Sequence, residues 1–351
     1  MKRTVNSVAP IRICDLGGWT DTWFAKRGAV LNFGVYPYVQ CQLCVSEARG
    51  GKGHFTIHAE NYGDRYPVDP QAVALGRHPL LEACVAAMNI PSNLDIEANL
   101  YSQIPGGSST GTSAAITVAL IGALDVLTPG RMEPAKVAMK AHEVETDYLH
   151  LQSGIQDQLA AVSGGISYID MREYPHSTVT RIELPNPLWW EIESRLCLFY
   201  LGNPHNSSDV HRTVITRLEN EPGDDTLDEL RRFPALGRDA LLAGDLPVFG
   251  QIMKANTRAQ SALHPALVSD EAKAIFEIAD RHGALGWKIN GAGGDGGSVT
   301  IFGPAQRERQ RKMTDAILRA NPSIREIPTY LSRYGLRVWE SENNGVFQTR
   351  K

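Results

Sequence analysis

The alternation of apolar and polar residues predicts strands in the first 110 residues of the 351-residue chain. Residues 29–45 are rich in β-branched and aromatic side chains, and residues 54–60 and 94–104 alternate apolar with polar positions. A period of two is typical of half-buried strands. Residues 11–16 form a shorter apolar run that predicts a buried strand, and residues 71–88 predict one helix.

The pattern changes to helices in the middle of the chain. Residues 112–127 are rich in alanine and apolar nearly all round, which predicts a buried helix. A second helix is predicted from Pro134, a residue type that favours the first helical position, to about residue 151. A third predicted helix follows Gly154, and two strands are predicted over 166–171 and 178–184.

A domain boundary is predicted at residues 185–190, where two prolines and two tryptophans separate the helical region from a new set of elements. A strand is predicted at 193–201, then helices to about residue 282, then a strand–loop–strand unit at 287–302, a helix and a short strand. Strands and helices mix without regular alternation, which favours the α+β class. We therefore predict two domains, residues 1–187 and 188–351.

Composition excludes several classes of protein. The formal net charge is −4, and no long basic run occurs, so a dedicated nucleic-acid binder is not expected. The sequence contains no run of 18 apolar residues, so a membrane span is not expected. The first 18 residues lack the apolar block of a signal peptide. Five cysteines suit a reducing cytoplasm. The Cys41 and Cys44 pair lies inside an apolar strand without a second pair, and we interpret it as core.

The strongest local signal for chemistry is the loop at residues 105–115, PGGSSTGTSAA, which lies between a predicted strand and a predicted helix. Small residues let a ligand approach the backbone, and a helix N-terminus offers free N–H groups and partial positive charge. The loop lacks the Gly-Lys of a Walker motif and the spacing of a dinucleotide fingerprint. It predicts phosphate binding, with a flexible turn as the alternative.

Two further glycine-rich turns carry weaker signals. Residues 290–297, NGAGGDGG, contain five glycines, which indicates close approach by a ligand or another loop, or a wide hairpin. The turn at residues 17–21, GGWTD, follows the apolar run 11–16. Its Asp21 could face a polyol or could satisfy its own backbone in an Asx-turn.

Together, these elements resemble the GHMP kinase superfamily in its sugar-kinase branch. Residues 9–21 (APIRICDLGGWTD) are similar to its first motif, 105–115 to its second, 288–297 to its third, and 154–158 (GIQDQ) to a Gly-x-x-Asp-Gln motif of sugar-type members. The resemblance implies a two-domain fold with a ribosomal-protein-S5-like N-terminal domain and a ferredoxin-like C-terminal domain. It also implies that ATP and Mg²⁺ bind in the cleft between them.

The resemblance also implies roles for individual residues. Asp157 is similar to the catalytic aspartate that accepts the proton of the attacking hydroxyl, and Arg12 to the basic residue that keeps it ionised. Ser113 and Glu145 would hold Mg²⁺, with Glu143 as the alternative to Glu145. The residues implied to bind the nucleotide are Pro105, Gly106, Gly107, Ser108, Ser109, Thr110, Gly111, Thr112 and Ser113. Those implied to bind substrate are Gly18, Trp19, Thr20, Asp21, Gly154, Gly293, Gly294 and Asp295.

Some positions leave alternatives open. Trp19 could stack on a sugar face or pack in the core. The loop at residues 201–208 resembles a substrate-side loop of heptose-phosphate kinases, in which His205 or Ser208 could touch substrate, or it is a helix-capping turn. Ser109-Thr110-Gly111 stands where Gly-Leu-Gly is typical, and we expect this to change loop stiffness and nucleotide affinity.

The substrate implied by the resemblance is a sugar or sugar phosphate. The Gly17-Gly18-Trp19 turn is similar to the fucokinase and heptose-phosphate kinase branches and differs from the Gly-Glu-His of galactokinases. A heptose phosphate is the first choice and a fucose-like sugar the second, with the anomeric hydroxyl as the expected acceptor. The alternatives are an isoprenoid or amino-acid kinase of the same superfamily, or a catalytically inactive binding or regulatory protein. The oligomeric state stays open, and a homodimer is one option.

Overall fold

The computed structural model describes residues 3–203, 209–220 and 225–341. The described strands are β1 (Arg3–Leu16), β2 (Gly28–Glu47), β3 (Phe55–Ala59), β4 (Asp64–Val68), β5 (Leu94–Ser102), β6 (Ile166–Glu173), β7 (His176–Arg181), β8 (Leu196–Tyr200), β9 (Gly286–Ile289), β10 (Ser298–Phe302), β11 (Arg325–Ile327), β12 (Tyr330–Leu331) and β13 (Arg337–Ser341). The described α-helices are α1 (Pro79–Ala86), α2 (Thr112–Asp125), α3 (Pro134–Glu143), α4 (Gln156–Ser163), α5 (Asn186–Arg195), α6 (Asp209–Asn220), α7 (Asp225–Ala243), α8 (Leu246–Leu263), α9 (Asp270–Arg281) and α10 (Arg307–Ala320).

The larger sheet is built on the long strand β2. Its strand order is β13-β1-β2-β5-β3-β4, with β6 and β12 also paired to β2 and β7 to β6. Residues 29–35 of β2 are buried on both faces because α4 and α7 cover them, whereas residues 39–45 alternate between buried and exposed. The alternation predicted this strand, and the buried half places β1 and α4 side by side.

The smaller sheet has the order β11-β8-β10-β9, with every pair antiparallel. It has a core of its own, in which Phe199 and Ile301 of the sheet pack with Ile275 of α9 and Met313 of α10. Two sheets with separate helices confirm the predicted α+β class.

Two predicted helices are shorter than expected. The segment 71–88 forms a helix only over α1, because the Glu82 carboxylate accepts N–H bonds from Gly76, Arg77 and His78 and so stabilises a loop before Pro79. The helix predicted from Pro134 to residue 151 ends as α3, and Val144–Tyr148 continues as one π-helical turn.

The predicted boundary at 185–190 is the start of a helix rather than a linker, with Pro185 as the N-cap of α5. The division at residue 187 stays a prediction. Sheet membership follows it as far as Ile327, after which β12 pairs with β2 and β13 with β1 of the larger sheet. Within the described ranges, no helix is long and apolar enough to cross a membrane.

Candidate active site

Arg12 of β1 and Asp157 of α4 form a bidentate ion pair. The Arg12 Nε donates to Asp157 Oδ1 at 2.7 Å and Nη2 donates to Oδ2 at 3.2 Å. The side chain of Arg12 is 6% exposed and that of Asp157 is 27% exposed, so one side of the carboxylate remains open. Burial opposes the charge of Arg12, but the negative charges of Asp157 and Asp15 outweigh it and raise its pKa. The structure therefore brings together the two residues to which the family resemblance assigns catalytic roles.

Hydrogen bonds from Arg12 of β1 and Ser298 of β10 anchor the loop at residues 105–111 on one side. Arg12 donates its backbone N–H to the Thr110 carbonyl at 2.9 Å and its Nη1 to the Ser109 carbonyl, and Ser298 Oγ donates to the Ser108 carbonyl at 2.6 Å. Gly106 and Gly107, in contrast, are exposed. The buried Ser109 Oγ has no hydrogen-bond partner among the described residues. Free N–H groups and an unpartnered hydroxyl before a helix fit a phosphate group.

Gly111 joins this loop to the ion pair of Arg12 and Asp157. Its φ is +69°, and a Cβ added there would lie 3.1 Å from the Asp157 carboxylate and 3.3 Å from Arg12 Cγ. α2 begins at the next residue, Thr112, so its N-terminus opens beside Asp157. Glycine is needed here both for the left-handed backbone and for the close approach. Ser113 follows on the exposed side of this first turn.

Glu145 lies on the π-helical turn and is buried, with 7% of its surface exposed. Its Oε2 accepts hydrogen bonds from Ser153 Oγ and from Gln158 Nε2 at 3.0 Å. Burial raises the pKa of Glu145 to about 7, with the negative charge of Asp157 adding to the effect. Because both bonds go to Oε2, Oε1 is left for another ligand, and a bound cation would favour the ionised form.

The alternative carboxylate, Glu143, is engaged elsewhere. Its Oε2 pairs with Lys140 Nζ, and 41% of its side chain is exposed. The geometry therefore supports Glu145 over Glu143 as a metal ligand. In the part of the chain that the structure describes, no group of three or more His, Cys, Asp or Glu side chains could hold a metal. Mg²⁺ accepts few protein ligands plus phosphate oxygens, and its coordination by Ser113 and Glu145 stays a prediction.

Asp21 lies under the start of α4 instead of in the open. Its Oδ2 accepts the backbone N–H of Gln156 at 3.0 Å, and its Oδ1 accepts Gln156 Nε2 at 3.3 Å. It is 2% exposed, and burial raises its pKa to about 6, with the Gln156 N–H opposing and Asp157 adding. Gly154 is a glycine because a Cβ there would lie 2.2 Å from Asp21 Oδ2. The predicted sugar contact at Asp21 therefore stays a prediction.

The rest of the first turn is packed inside the protein. Trp19 is 7% exposed, donates to the Ala292 carbonyl at 3.3 Å and lies edge-on to His211. The Thr20 hydroxyl lies 2.8 Å from the Gly17 carbonyl oxygen and is fully buried. A Cβ on Gly18 would lie 2.7 Å from Asp15 Oδ2. These contacts support the packing alternative for Trp19 and give Thr20 a role in the turn itself.

The third glycine-rich loop packs against protein, not solvent. Gly293 has φ +80°, and a Cβ there would lie 2.2 Å from the Leu267 carbonyl, which also accepts the Gly294 N–H at 2.8 Å. Both glycines are buried, whereas Asp295 is exposed. Gly291 approaches the phosphate-type loop, where a Cβ would lie 3.0 Å from the Ser109 carbonyl. Substrate contacts at Gly293, Gly294 and Asp295 stay predictions.

Sequence reasoning missed Tyr62, which stands beside the open loop. The Tyr62 side chain is 73% exposed, and its hydroxyl would lie 3.8 Å from a Cβ on Gly106. Its ring lies 5.1 Å from that of His78. Asn61 fixes this position by two hydrogen bonds with the backbone of Ser102, just before the loop. No local motif marks Tyr62, because only the pairing of β3 with β5 brings it to the loop.

The remaining candidates fall outside the site. His205 and Ser208 lie outside the described residues. Cys41 is buried in β2, as the core interpretation predicts, whereas that interpretation is wrong for Cys44, which points to the exposed face of the same strand because exposure alternates there. No disulfide joins the described cysteines.

Comparison with known proteins gives two family matches. The model of the GHMP kinases N terminal domain matches residues 79–165, and that of the GHMP kinases C terminal matches residues 238–323. The first range contains the phosphate-type loop, Glu145 and Asp157, and the second contains the third glycine-rich loop.

Individual proteins are similar over most of the chain. The D-glycero-α-D-manno-heptose 7-phosphate kinase of Campylobacter jejuni is 24% identical over 314 residues, 87% of this chain and 91% of that protein. A mevalonate kinase of Thermococcus sibiricus is 30% identical over 251 residues, 69% of each chain. The crystal structure of a D-glycero-D-manno-heptose 1-phosphate kinase from Bacteroides thetaiotaomicron superposes with a TM-score of 0.72 at 21% identity, over 95% of this chain and 98% of that one. This likeness confirms the predicted two-domain fold.

Proposed function

The chain belongs to the GHMP kinase family, whose members transfer a phosphoryl group to an alcohol, and we propose that it phosphorylates a sugar phosphate with ATP. The observation that carries the proposal is the half-open Asp157 carboxylate, held by Arg12 beside the N-terminus of α2. A base, a fixed cation and a phosphate-type loop meet there, which is the set that phosphoryl transfer needs.

In the proposed reaction, the sugar hydroxyl oxygen bonds to the γ-phosphorus as the bond from that phosphorus to the bridging β–γ oxygen breaks. The hydroxyl proton goes to the open side of the Asp157 carboxylate. Arg12 orients the Asp157 carboxylate through two hydrogen bonds and places positive charge near the transferred group. Free N–H groups of the loop and of α2 bind the phosphates. Mg²⁺, held by Ser113 and Glu145, would offset phosphate charge.

Tyr62 gives the nucleotide a second point of contact. Its exposed ring stands beside Gly106, five residues before Gly111, which lies next to Asp157. A nucleobase that stacks on this ring would leave its phosphates along the loop, because aromatic side chains stack on bases regardless of sequence.

The proposed acceptor is the anomeric hydroxyl of a heptose 7-phosphate-like sugar, with a fucose-like sugar as second choice. The Gly17-Gly18-Trp19 turn supports this choice, as does similarity to a heptose 7-phosphate kinase along 87% of the chain. The mevalonate kinase similarity supports a second candidate, a non-sugar alcohol, because its identity of 30% is higher. The Thr20-Asp21 turn and the Asp157-Gln158 pair favour the sugar.

Release of ADP from ATP and Mg²⁺ tests the proposal with a panel of heptose 7-phosphate, fucose, galactose, mevalonate and homoserine. We expect the highest kcat/KM with heptose 7-phosphate. A preference for mevalonate would contradict a sugar substrate and support the second candidate, a non-sugar alcohol. No stimulated release with any alcohol, by a protein that binds ATP, would favour the inactive binding protein. The Asp157→Asn variant, purified in parallel, measures the background from contaminating kinases.

A further inference from the structure

A buried ion pair lies behind the third glycine-rich loop. Lys288 of β9 and Asp15 of β1 are both fully buried, with Lys288 Nζ 3.7 Å from Asp15 Oδ1. The same Nζ donates to Gln260 Oε1 at 2.8 Å and to the Ile289 carbonyl. β1 belongs to the larger sheet and β9 to the smaller one, so the pair joins the two sheets.

Asp15 also holds the backbone of the loop. Its Oδ1 accepts the Gly291 N–H at 3.0 Å. Gly291 in turn stands against Arg12 and the phosphate-type loop, since a Cβ there would lie 3.0 Å from the Ser109 carbonyl and 3.4 Å from Arg12 Nη2. A single loop residue, Gly291, therefore connects Asp15 to the guanidinium of Arg12.

A second contact runs parallel to the first. Asn290 Oδ1 accepts the Cys14 N–H at 3.0 Å, and Asn290 Nδ2 donates to Ser298 Oγ, which donates to the Ser108 carbonyl. Cys14 and Asn290, the neighbours of Asp15 and Gly291, thus connect β1 to the third glycine-rich loop. The hydrogen bonds from Asn290 through Ser298 also reach the phosphate-type loop.

Burying the charges of Lys288 and Asp15 costs free energy of desolvation. Neither side chain is exposed, so neither touches a ligand in the cleft. Burial lowers the pKa of Lys288, and Asp15 opposes that shift. A buried ion pair is poor evidence for added stability, because apolar replacements are often as stable, whereas such pairs can specify one arrangement of the parts they join.

We propose that Asp15 is a positioning residue for phosphoryl transfer, which holds the Gly291 N–H so that the third loop fixes Arg12 and Ser109 in place, while Lys288 balances the buried charge of Asp15. This role rests on the proposed function. Asp15 orients Gly291, and Gly291 limits the movement of the guanidinium that binds Asp157. Neither Asp15 nor Lys288 contacts substrate.

Two double variants remove the charges at positions 15 and 288 and differ in whether a side-chain oxygen remains to accept the Gly291 N–H. Asp15→Asn with Lys288→Met removes both charges and keeps a side-chain oxygen, whereas Asp15→Ala with Lys288→Met also removes that oxygen. We expect the Asn double to keep kcat within about threefold of wild type. The Ala double should lose a further factor of about 10 to 100, as expected for a misplaced reacting group. The KM for the sugar should change by less than about threefold in both, because the misplacement acts after binding.

Circular dichroism and thermal melting give the folded fraction of each double, and kcat is expressed per folded molecule. Equal kcat values for the two doubles would overturn the proposal, as would a loss that disappears after this correction. The wild type is assayed first on the alcohol panel. Failure of wild-type turnover contradicts the proposed function, whereas an active wild type with equal doubles contradicts only the positioning role.

If the Ala double does not fold, Gly291→Ala tests the next step of the proposal, the contact of Gly291 with Ser109 and Arg12. The new Cβ meets the Ser109 carbonyl and Arg12 without touching the buried charges. A loss of kcat with little change in sugar KM supports the proposal, and unchanged kcat overturns it.

Discussion

The loops at residues 105–111 and 290–297 are both rich in glycine but have opposite environments. Gly106 and Gly107 expose their backbone, whereas Gly293 and Gly294 are buried against Leu267. Glycine permits close approach in both loops, to an open cleft in the first and to the protein's own backbone in the second. A run of glycines therefore marks a tight place without saying what fills it.

The two loops nevertheless touch. Gly291 of the closed loop packs on Ser109 of the open one, and Ser298 donates to Ser108. The closed loop thus supports the open loop from behind. Substitutions on the open side should change catalysis most, and substitutions where the closed loop packs on Leu267 should change stability first.

The largest expected effect is that of Asp157→Asn on the open side. The amide cannot accept the hydroxyl proton, so kcat should fall by about 10² to 10⁴-fold. ATP affinity, measured by calorimetry, should change by less than about threefold. The matched control is Asp239→Asn, an exposed aspartate that also pairs with an arginine, Arg238, and it should leave kcat unchanged. Turnover retained by Asp157→Asn would show that the proton goes to another group.

Glycine-to-alanine substitutions compare positions within and between the loops. Gly111→Ala adds a Cβ 3.1 Å from Asp157 at a φ of +69°, and kcat should fall by about 10 to 100-fold. Gly106→Ala is the matched control, because nothing lies nearer than 3.8 Å to its Cβ, and kcat should fall less than about threefold.

Gly293→Ala makes the same change on the closed side, 2.2 Å from the Leu267 carbonyl. It should lower the melting temperature by several degrees, since strained alanines cost about 1 kcal/mol or more. Its kcat per folded molecule should stay near that of wild type. A larger loss of kcat in Gly293→Ala than in Gly111→Ala would reverse the comparison of the two loops.

Asp21→Asn tests the buried carboxylate under α4 by its pH dependence. The folded protein raises the pKa of Asp21 to about 6, above the value of about 3.9 in an unfolded chain. Its contribution to stability is therefore complete below about pH 4 and is lost as the pH rises through 6. The uncharged Asn should remove this loss and stabilise the protein by about 1 to 3 kcal/mol at pH 7. Its amide can also donate to Gln156 Oε1, which is buried without a partner among the described residues.

Urea unfolding from pH 4 to 8 measures this effect, with the exposed Asp147→Asn as control. A variant that runs parallel to wild type across that range would contradict the raised pKa. The KM for the sugar, measured on the same Asp21→Asn protein, tests the proposed sugar contact. A rise in sugar KM with unchanged ATP KM would support that contact, and a change in ATP KM alone would contradict it.

The smallest expected effect is at Tyr62, beside Gly106 of the open loop. Tyr62→Ala should raise the KM for ATP by about five-fold, as expected for loss of about 1 kcal/mol of stacking. Tyr62→Phe keeps the ring and should bind ATP as wild type does. A change in the KM for the sugar without a change in the KM for ATP would show that the nucleobase does not stack on the Tyr62 ring.

Local pattern predicted most elements and the chemistry of the open loop. The helix expected at 112–127 is α2, and the strand expected at 29–45 is β2, because alanine content and alternation are local properties. The helix expected from Pro134 was wrong beyond Glu143, where one π-helical turn carries Glu145. The pairing of Arg12 with Asp157 was expected only from family resemblance. Asp15, Lys288 and Tyr62 escaped notice, since their partners lie far away in sequence.

The sequence by itself determined where most strands and helices form and where the backbone can come close to a neighbour, and its family resemblance predicts which side chains carry phosphoryl transfer. Only the tertiary structure decided that Asp157 stays partly exposed while Asp21 is buried, and that Gly106 and Gly107 are exposed while Gly293 and Gly294 are buried. The physical reason is that burial, and with it the pKa of a carboxylate, depends on which distant segment packs over a residue. That packing is set by the alignment of two sheets, which no local pattern encodes.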